Sequence, residues 1–143
     1  MKMFSILFCS GALFAAGPVI VPHEEIPEFS LNGNSITGVA TSKVGTEEFE
    51  AWRTSLGVGC CTPKHSHETE EVFIFLKGEG RAIIGGEEFF FVAPCTVICP
   101  AHVEHQFFNM GDEVTDAIVV LGRDSQIYNG GGEKMSLPWR NST

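Results

Sequence analysis

Between His65 and Lys77 the chain reads HSHETEEVFIFLK. His65, His67 and Glu71 are all odd-numbered, and side chains alternate faces along an extended strand, so the three project to one side. Two neutral imidazoles and a carboxylate converging there are a donor set for a divalent cation. A second segment, PAHVEHQFFN from Pro100 to Asn109, carries a further imidazole, His105. Glycines bracket the first segment, Gly59 before it and Gly78 after it.

Such donors need strands to hold them, and the surrounding sequence reads as strands and turns. Phe49 to Leu56 holds apolar residues around Trp52, and Val72 to Leu76 is apolar on both faces, the pattern of a strand buried on both sides. Ala82 to Ile84 and Phe89 to Val92 flank Gly85-Gly86, a hairpin with a two-residue turn. Thr96 to Cys99 leads into the second segment. Ala117 to Leu121 reads as the last core strand, Gly130 to Gly132 as a mobile loop, and SLPWRNST as a short tail. Only the acidic stretch from Gly45 to Glu50 hints at a helix. Short strands with frequent turns predict an all-β barrel.

Composition narrows the class of protein. A chain of 143 residues has room for one core, and twelve phenylalanines give it bulk. The net charge of −9 argues against nucleic acid or anionic lipid as a partner. No stretch is long enough to span a bilayer as an apolar helix. The N-terminus, MKMFSILFCSGALFAAG, has the basic start, apolar run and small residues of a signal peptide over residues 1–17. The same run could instead be a first buried strand. Removing the leader with Cys9 leaves Cys60, Cys61, Cys95 and Cys99. The adjacent Cys60 and Cys61 cannot bridge without strain, and Cys95 and Cys99 lie too far apart on a strand. Any disulfide would have to join one pair to the other, with free buried thiols as the default expectation.

These residues resemble the cupin superfamily. Gly59, His65, His67, Glu71 and Gly78 fill every position of its first motif, while Pro100, His105 and Asn109 fit its second; there Pro94 and His102 occupy glycine positions. The resemblance implies one jelly-roll β-barrel domain over residues 18–143, with His65, His67, Glu71 and His105 holding one metal ion. His102 has opposite parity to His105 and is expected on a backbone unlike the motif's, pointing away from the metal. Trp52, Thr62-Pro63 and Glu70-Glu71-Val72-Phe73 further resemble the plant auxin-binding proteins, a secretory-pathway branch of cupins. That likeness implies zinc, with iron, manganese or nickel as alternatives, and a homodimer. It also implies a secreted or endoplasmic-reticulum location without a KDEL-type signal, or a cytoplasmic one if the leader is not a signal peptide. Trp139 stands where that family has a C-terminal pocket tryptophan.

Chemistry points the same way. Three neutral imidazoles and one carboxylate around a divalent ion leave a charge near +1, which an anionic oxygen neutralises. Phe73 and Phe75 share the parity of the metal-side residues, and Phe107 shares that of His105, so they are expected to line an apolar pocket with Trp52, Thr62, Pro63 and Trp139. A small aromatic carboxylate suits both features. Two classes follow: a metal-dependent binding protein, or a cupin enzyme (dioxygenase, isomerase or lyase) acting on a small organic acid.

Overall fold

The computed structural model describes residues 17–141. The expected leader, with Cys9, lies outside the described residues except for Gly17, as do Ser142 and Thr143 of the tail. Twelve strands follow in order: Glu28–Leu31 (β1), Asn34–Ala40 (β2), Phe49–Leu56 (β3), His65–His67 (β4), Glu71–Lys77 (β5), Glu79–Ile84 (β6), Glu87–Val92 (β7), Cys95–Cys99 (β8), His105–Asn109 (β9), Asp116–Gly122 (β10), Ile127–Asn129 (β11) and Lys134–Met135 (β12). They form two antiparallel six-stranded sheets, ordered β1-β2-β3-β10-β5-β8 and β12-β11-β4-β9-β6-β7. This is the all-β jelly roll that the sequence predicts.

Alternation builds the core. Phe73 and Phe75 of β5 face inward from the first sheet, and Phe91 of β7 and Phe107 of β9 face them from the second. Their rings meet across the layer, Phe73 to Phe107 at 4.2 Å and Phe75 to Phe91 at 4.1 Å between centroids. Burying each such side chain contributes about 1.5–3 kcal/mol, so these pairs bind the sheets together. Gly85 and Gly86, with φ of 60° and 82°, close β6 onto β7; two successive positive φ values make the tight turn whose twist matches a hairpin.

Four expectations need correction. Val72–Leu76 is not buried on both faces: Ile74 is 37% and Leu76 53% exposed, because among the described residues no layer covers the outer side of the first sheet. Gly45 to Glu50 forms a bend running into β3, and the helical segments among the described residues are two 3-10 turns, His23–Glu25 and Pro138–Arg140. Ala117 to Leu121 is not the last strand, since β11 and β12 follow and pair. The triple glycine is the ordered turn between them, where the Asn129 side-chain oxygen accepts hydrogen bonds from the Gly131 and Glu133 amides, both at 2.9 Å.

The C-terminal tail is also anchored. Trp139 is 5% exposed and lies 5.7 Å, centroid to centroid, from Trp52. Next to it, Arg140 donates from Nε to the buried Glu50 carboxylate at 2.9 Å and from a terminal nitrogen to the Ser125 carbonyl at 2.7 Å. Removing the indole would open a cavity beside Trp52 that the anchored backbone cannot collapse to fill. Trp139→Ala should therefore lower stability by about 3 kcal/mol or more, read as an earlier urea midpoint at constant slope. An unchanged midpoint would mean that the tail contributes nothing to the core.

Candidate metal centre and its cavity

The metal-ligand candidates come from both sheets. His65 and His67 sit on β4 and His105 on β9, with His65 and His105 directly paired across the two strands. Glu71 begins β5 in the opposite sheet, so its carboxylate reaches the imidazoles across the core. One ligand atom from each of the four residues lies within 4.8 Å of the others, an arrangement that could hold a metal ion. Gly59 and Gly78, which bracket this stretch, have φ of 74° and 98°, values that side-chain-bearing residues rarely adopt.

The hydrogen bonds define what the centre can bind. Each imidazole Nδ1 contacts a backbone carbonyl: His65 that of Pro63 at 2.8 Å, His67 that of Thr69 at 2.8 Å, and His105 that of Val103 at 3.0 Å. A carbonyl can only accept, so Nδ1 carries the proton and each neutral ring turns an Nε2 lone pair inward. All three Nε2 atoms converge on one oxygen of Glu71, at 2.8 Å from His67, 2.9 Å from His105 and 3.5 Å from His65. Lone pairs facing a carboxylate oxygen require positive charge between them. Protons on the imidazoles can supply it, and so can a divalent cation, which the donor set fits in both ligand type and number.

Electrostatics agree. Burial opposes ionisation of Glu71, yet contacts with His105, His65 and His67 hold its pKa well below the usual carboxylate range. Burial likewise opposes charge on His65, but the Glu71 carboxylate outweighs it and raises the His65 pKa. Cys99, beside Glu71 in the β5–β8 register, is fully buried; burial first and the Glu71 charge second push its thiol up to about 12. The unfolded chain loses that proton near pH 9 and the folded chain keeps it to about 12, so Cys99 makes stability fall as pH rises across that window. All four cysteines of the described residues are free.

A cavity of about 800 Å³ opens from His65 and Glu71 toward the β1–β2 hairpin. Trp52, Thr62, Pro63 and Phe73 line it. Phe75, Phe107 and Trp139 do not, although their parity or position suggests it. Phe75 (2% exposed) and Phe107 (0%) lie below Phe73 in the interdigitated core, and Trp139 stands behind Trp52. Thr62 also positions: its hydroxyl accepts from the Phe107 amide at 3.0 Å, which steadies the loop whose Pro63 carbonyl orients His65.

His102 is exposed and is not among the four clustered donors. It adopts φ of 64°, the left-handed region that favours glycine, and its amide donates to the His67 carbonyl at 2.7 Å. Arg53 and Lys64 are engaged at the surface with Asp116 and Glu104. Phe29, Leu31, Ile36, Ile127 and Met135 of the cavity wall were not singled out by the sequence reading. Asn32-Gly33, the strongest short-range hairpin signal, would have revealed the first three of these by marking the β1–β2 hairpin.

Comparison with known proteins places these features. The cupin domain family model matches residues 52–121. Auxin-binding protein T85 of Nicotiana tabacum is 31% identical over 120 residues, covering 74% of this chain and 64% of that protein. Auxin-binding protein 1 of Arabidopsis thaliana is 30% identical over 118 residues, covering 74% and 60%. The chain thus spans about three-fifths of the length of these curated relatives. Among solved structures, the polyketide cyclase RemF from Streptomyces resistomycificus superposes with a TM-score of 0.68 at 15% identity, covering 78% of this chain and 84% of that one. That likeness concerns the fold.

Two measurements check the centre. Elemental analysis of His67→Ala should find no stoichiometric metal, whereas exposed His102→Ala should retain it; a His67 variant still carrying one ion per chain would defeat the assignment. Because the ligands join the two sheets, zinc at one hundred times its dissociation constant should stabilise the metal-free protein by about 2.7 kcal/mol. A thermal midpoint insensitive to zinc is the contrary result.

Proposed function

We propose, from the premise that this chain belongs to the cupin superfamily and is similar to the plant auxin-binding proteins, that it is a metal-dependent binding protein for a small aromatic or hydrophobic carboxylate. The observation that carries the reading is the position of the four-residue centre at the inner end of an apolar cavity. A divalent ion, zinc by the family resemblance, would supply there the one positive charge that an acid's carboxylate can neutralise. Phe73 and Trp52 offer the ring apolar faces, and His65 is the imidazole that reaches the cavity wall.

Other than His65 and Glu71, the ionisable side chains lining the cavity are Cys60 and Cys61. Glu70 is exposed, and Glu104 is occupied by Lys64 at 2.6 Å. Among the described residues this leaves no acid–base pair beside the centre apart from the ligand candidates, which supports binding over the dioxygenase, isomerase or lyase alternative. The leader-like N-terminus and the auxin-binding relatives support a secretory-pathway location, and the same relatives support auxin-like acids as ligands.

Calorimetric titration of the zinc-loaded protein should show indole-3-acetate binding at least tenfold more tightly than indole-3-acetamide. The neutral amide coordinates poorly and leaves the site charge uncompensated. Chelation should abolish the difference, and Phe73→Ala should weaken the acid by about 1–3 kcal/mol. Equal affinity for acid and amide, or binding indifferent to chelation, would sink the reading.

A further inference from the structure

The cavity is larger than a two-ring acid requires. A water molecule's share of the liquid is roughly 30 Å³, and covalently bonded atoms pack closer than that, so an acid of about 13 non-hydrogen atoms occupies less than roughly 400 Å³. That leaves at least half of the 800 Å³ cavity unfilled. The unfilled half lies toward β1 and β2, where Phe29 and Leu31 line the mouth. Leu31 is 63% exposed there, an apolar side chain facing water at the end of an apolar cleft. Ser30, Asn32, Ser35 and Gln106 add hydrogen-bonding groups without charge, and no lysine, arginine or aspartate lines the cavity among the described residues.

Resting on the carboxylate-binding reading above, the geometry points to an elongated monocarboxylate as the ligand. Its head lies at the His65 and Glu71 end, and a long uncharged body runs past Trp52 to cover Leu31. The charge distribution sets the class. A single anionic group finds compensation at the inner end, and a second one on the body would meet only neutral polar groups in a cleft that excludes part of its hydration. The body's far end is therefore apolar or weakly polar. Each methylene it buries is worth about fourfold in affinity, so length discriminates among acids with the same head.

The test uses three acids on the full, zinc-loaded chain by calorimetry: phenylacetate, 8-phenyloctanoate, and 8-phenyloctanoate with a para carboxylate. The long monoacid should bind at least tenfold more tightly than phenylacetate, and the diacid should lose most of that gain. In Leu31→Asp, an exposed substitution that spares the core, the ratio of short-acid to long-acid dissociation constants should fall below threefold. The ratio cancels any effect common to both acids. A ratio near one in the native chain, a diacid as tight as the long monoacid, or a ratio unmoved by Leu31→Asp overturns the inference while leaving the carboxylate site intact. Failure of every acid to bind, or binding unaffected by chelation, overturns the underlying reading and the inference with it.

Discussion

One oxygen of Glu71 sets the terms for the rest of the molecule. Three imidazole nitrogens point at it within 3.5 Å, in a pocket where the carboxylate is 1% exposed. A carboxylate so placed is costly to bury unless positive charge joins it. The fold supplies rigid rings, each pinned by a carbonyl behind it, and the chemistry supplies the charge. Since Glu71 and the histidines belong to opposite sheets, this centre also fixes how the layers lie on each other. The aromatic stack begins beside it, with Phe73 6.5 Å from the His105 ring, so the packed core abuts the candidate metal centre directly.

How legible was this in the sequence? The four donors were, through their residue types and motif spacing, but not through parity along one strand: the strand breaks at residues 68–70, and Glu71 reaches the imidazoles from the opposite sheet. So was the Gly85-Gly86 hairpin, since its backbone requirement is written in the residues themselves. What failed depended on layers. The run from Val72 to Leu76 cannot reveal that nothing covers its outer side. Phe75 and Phe107 share the metal-side parity, yet parity does not give depth: whether an inward phenylalanine lines a cavity or fills the floor depends on the ring facing it from the other sheet. Phe91 does that for Phe75.

The tail illustrates the same limit from the other end. Nothing local in SLPWRNST says that Trp139 finds Trp52, or that Arg140 finds Glu50 ninety positions earlier. Both contacts are non-local, and together they turn an apparent appendage into a wall of the cavity through Leu137 and Pro138. Asn32-Gly33 carries a local turn signal that would have marked the β1–β2 hairpin, but only the closed sheet order makes that hairpin a lining of the opposite wall.

The charge pattern then separates recognition from attraction. A chain of net charge −9 repels an approaching anion at long range. At physiological ionic strength that repulsion is screened over about 8 Å, roughly the depth at which a cavity begins to shield its contents. Inside, the lining carries no lysine or arginine among the described residues, so the field of the surface is not answered by a lysine or arginine on that wall. For the proposed carboxylate ligand, discrimination would therefore arise at the His65, His67, His105 and Glu71 centre alone, over distances of a few ångströms. The apolar wall leading to it would contribute affinity that is indifferent to charge. Head-group choice and body choice would thus fall to separate parts of one cleft, so that either could be altered without disturbing the other.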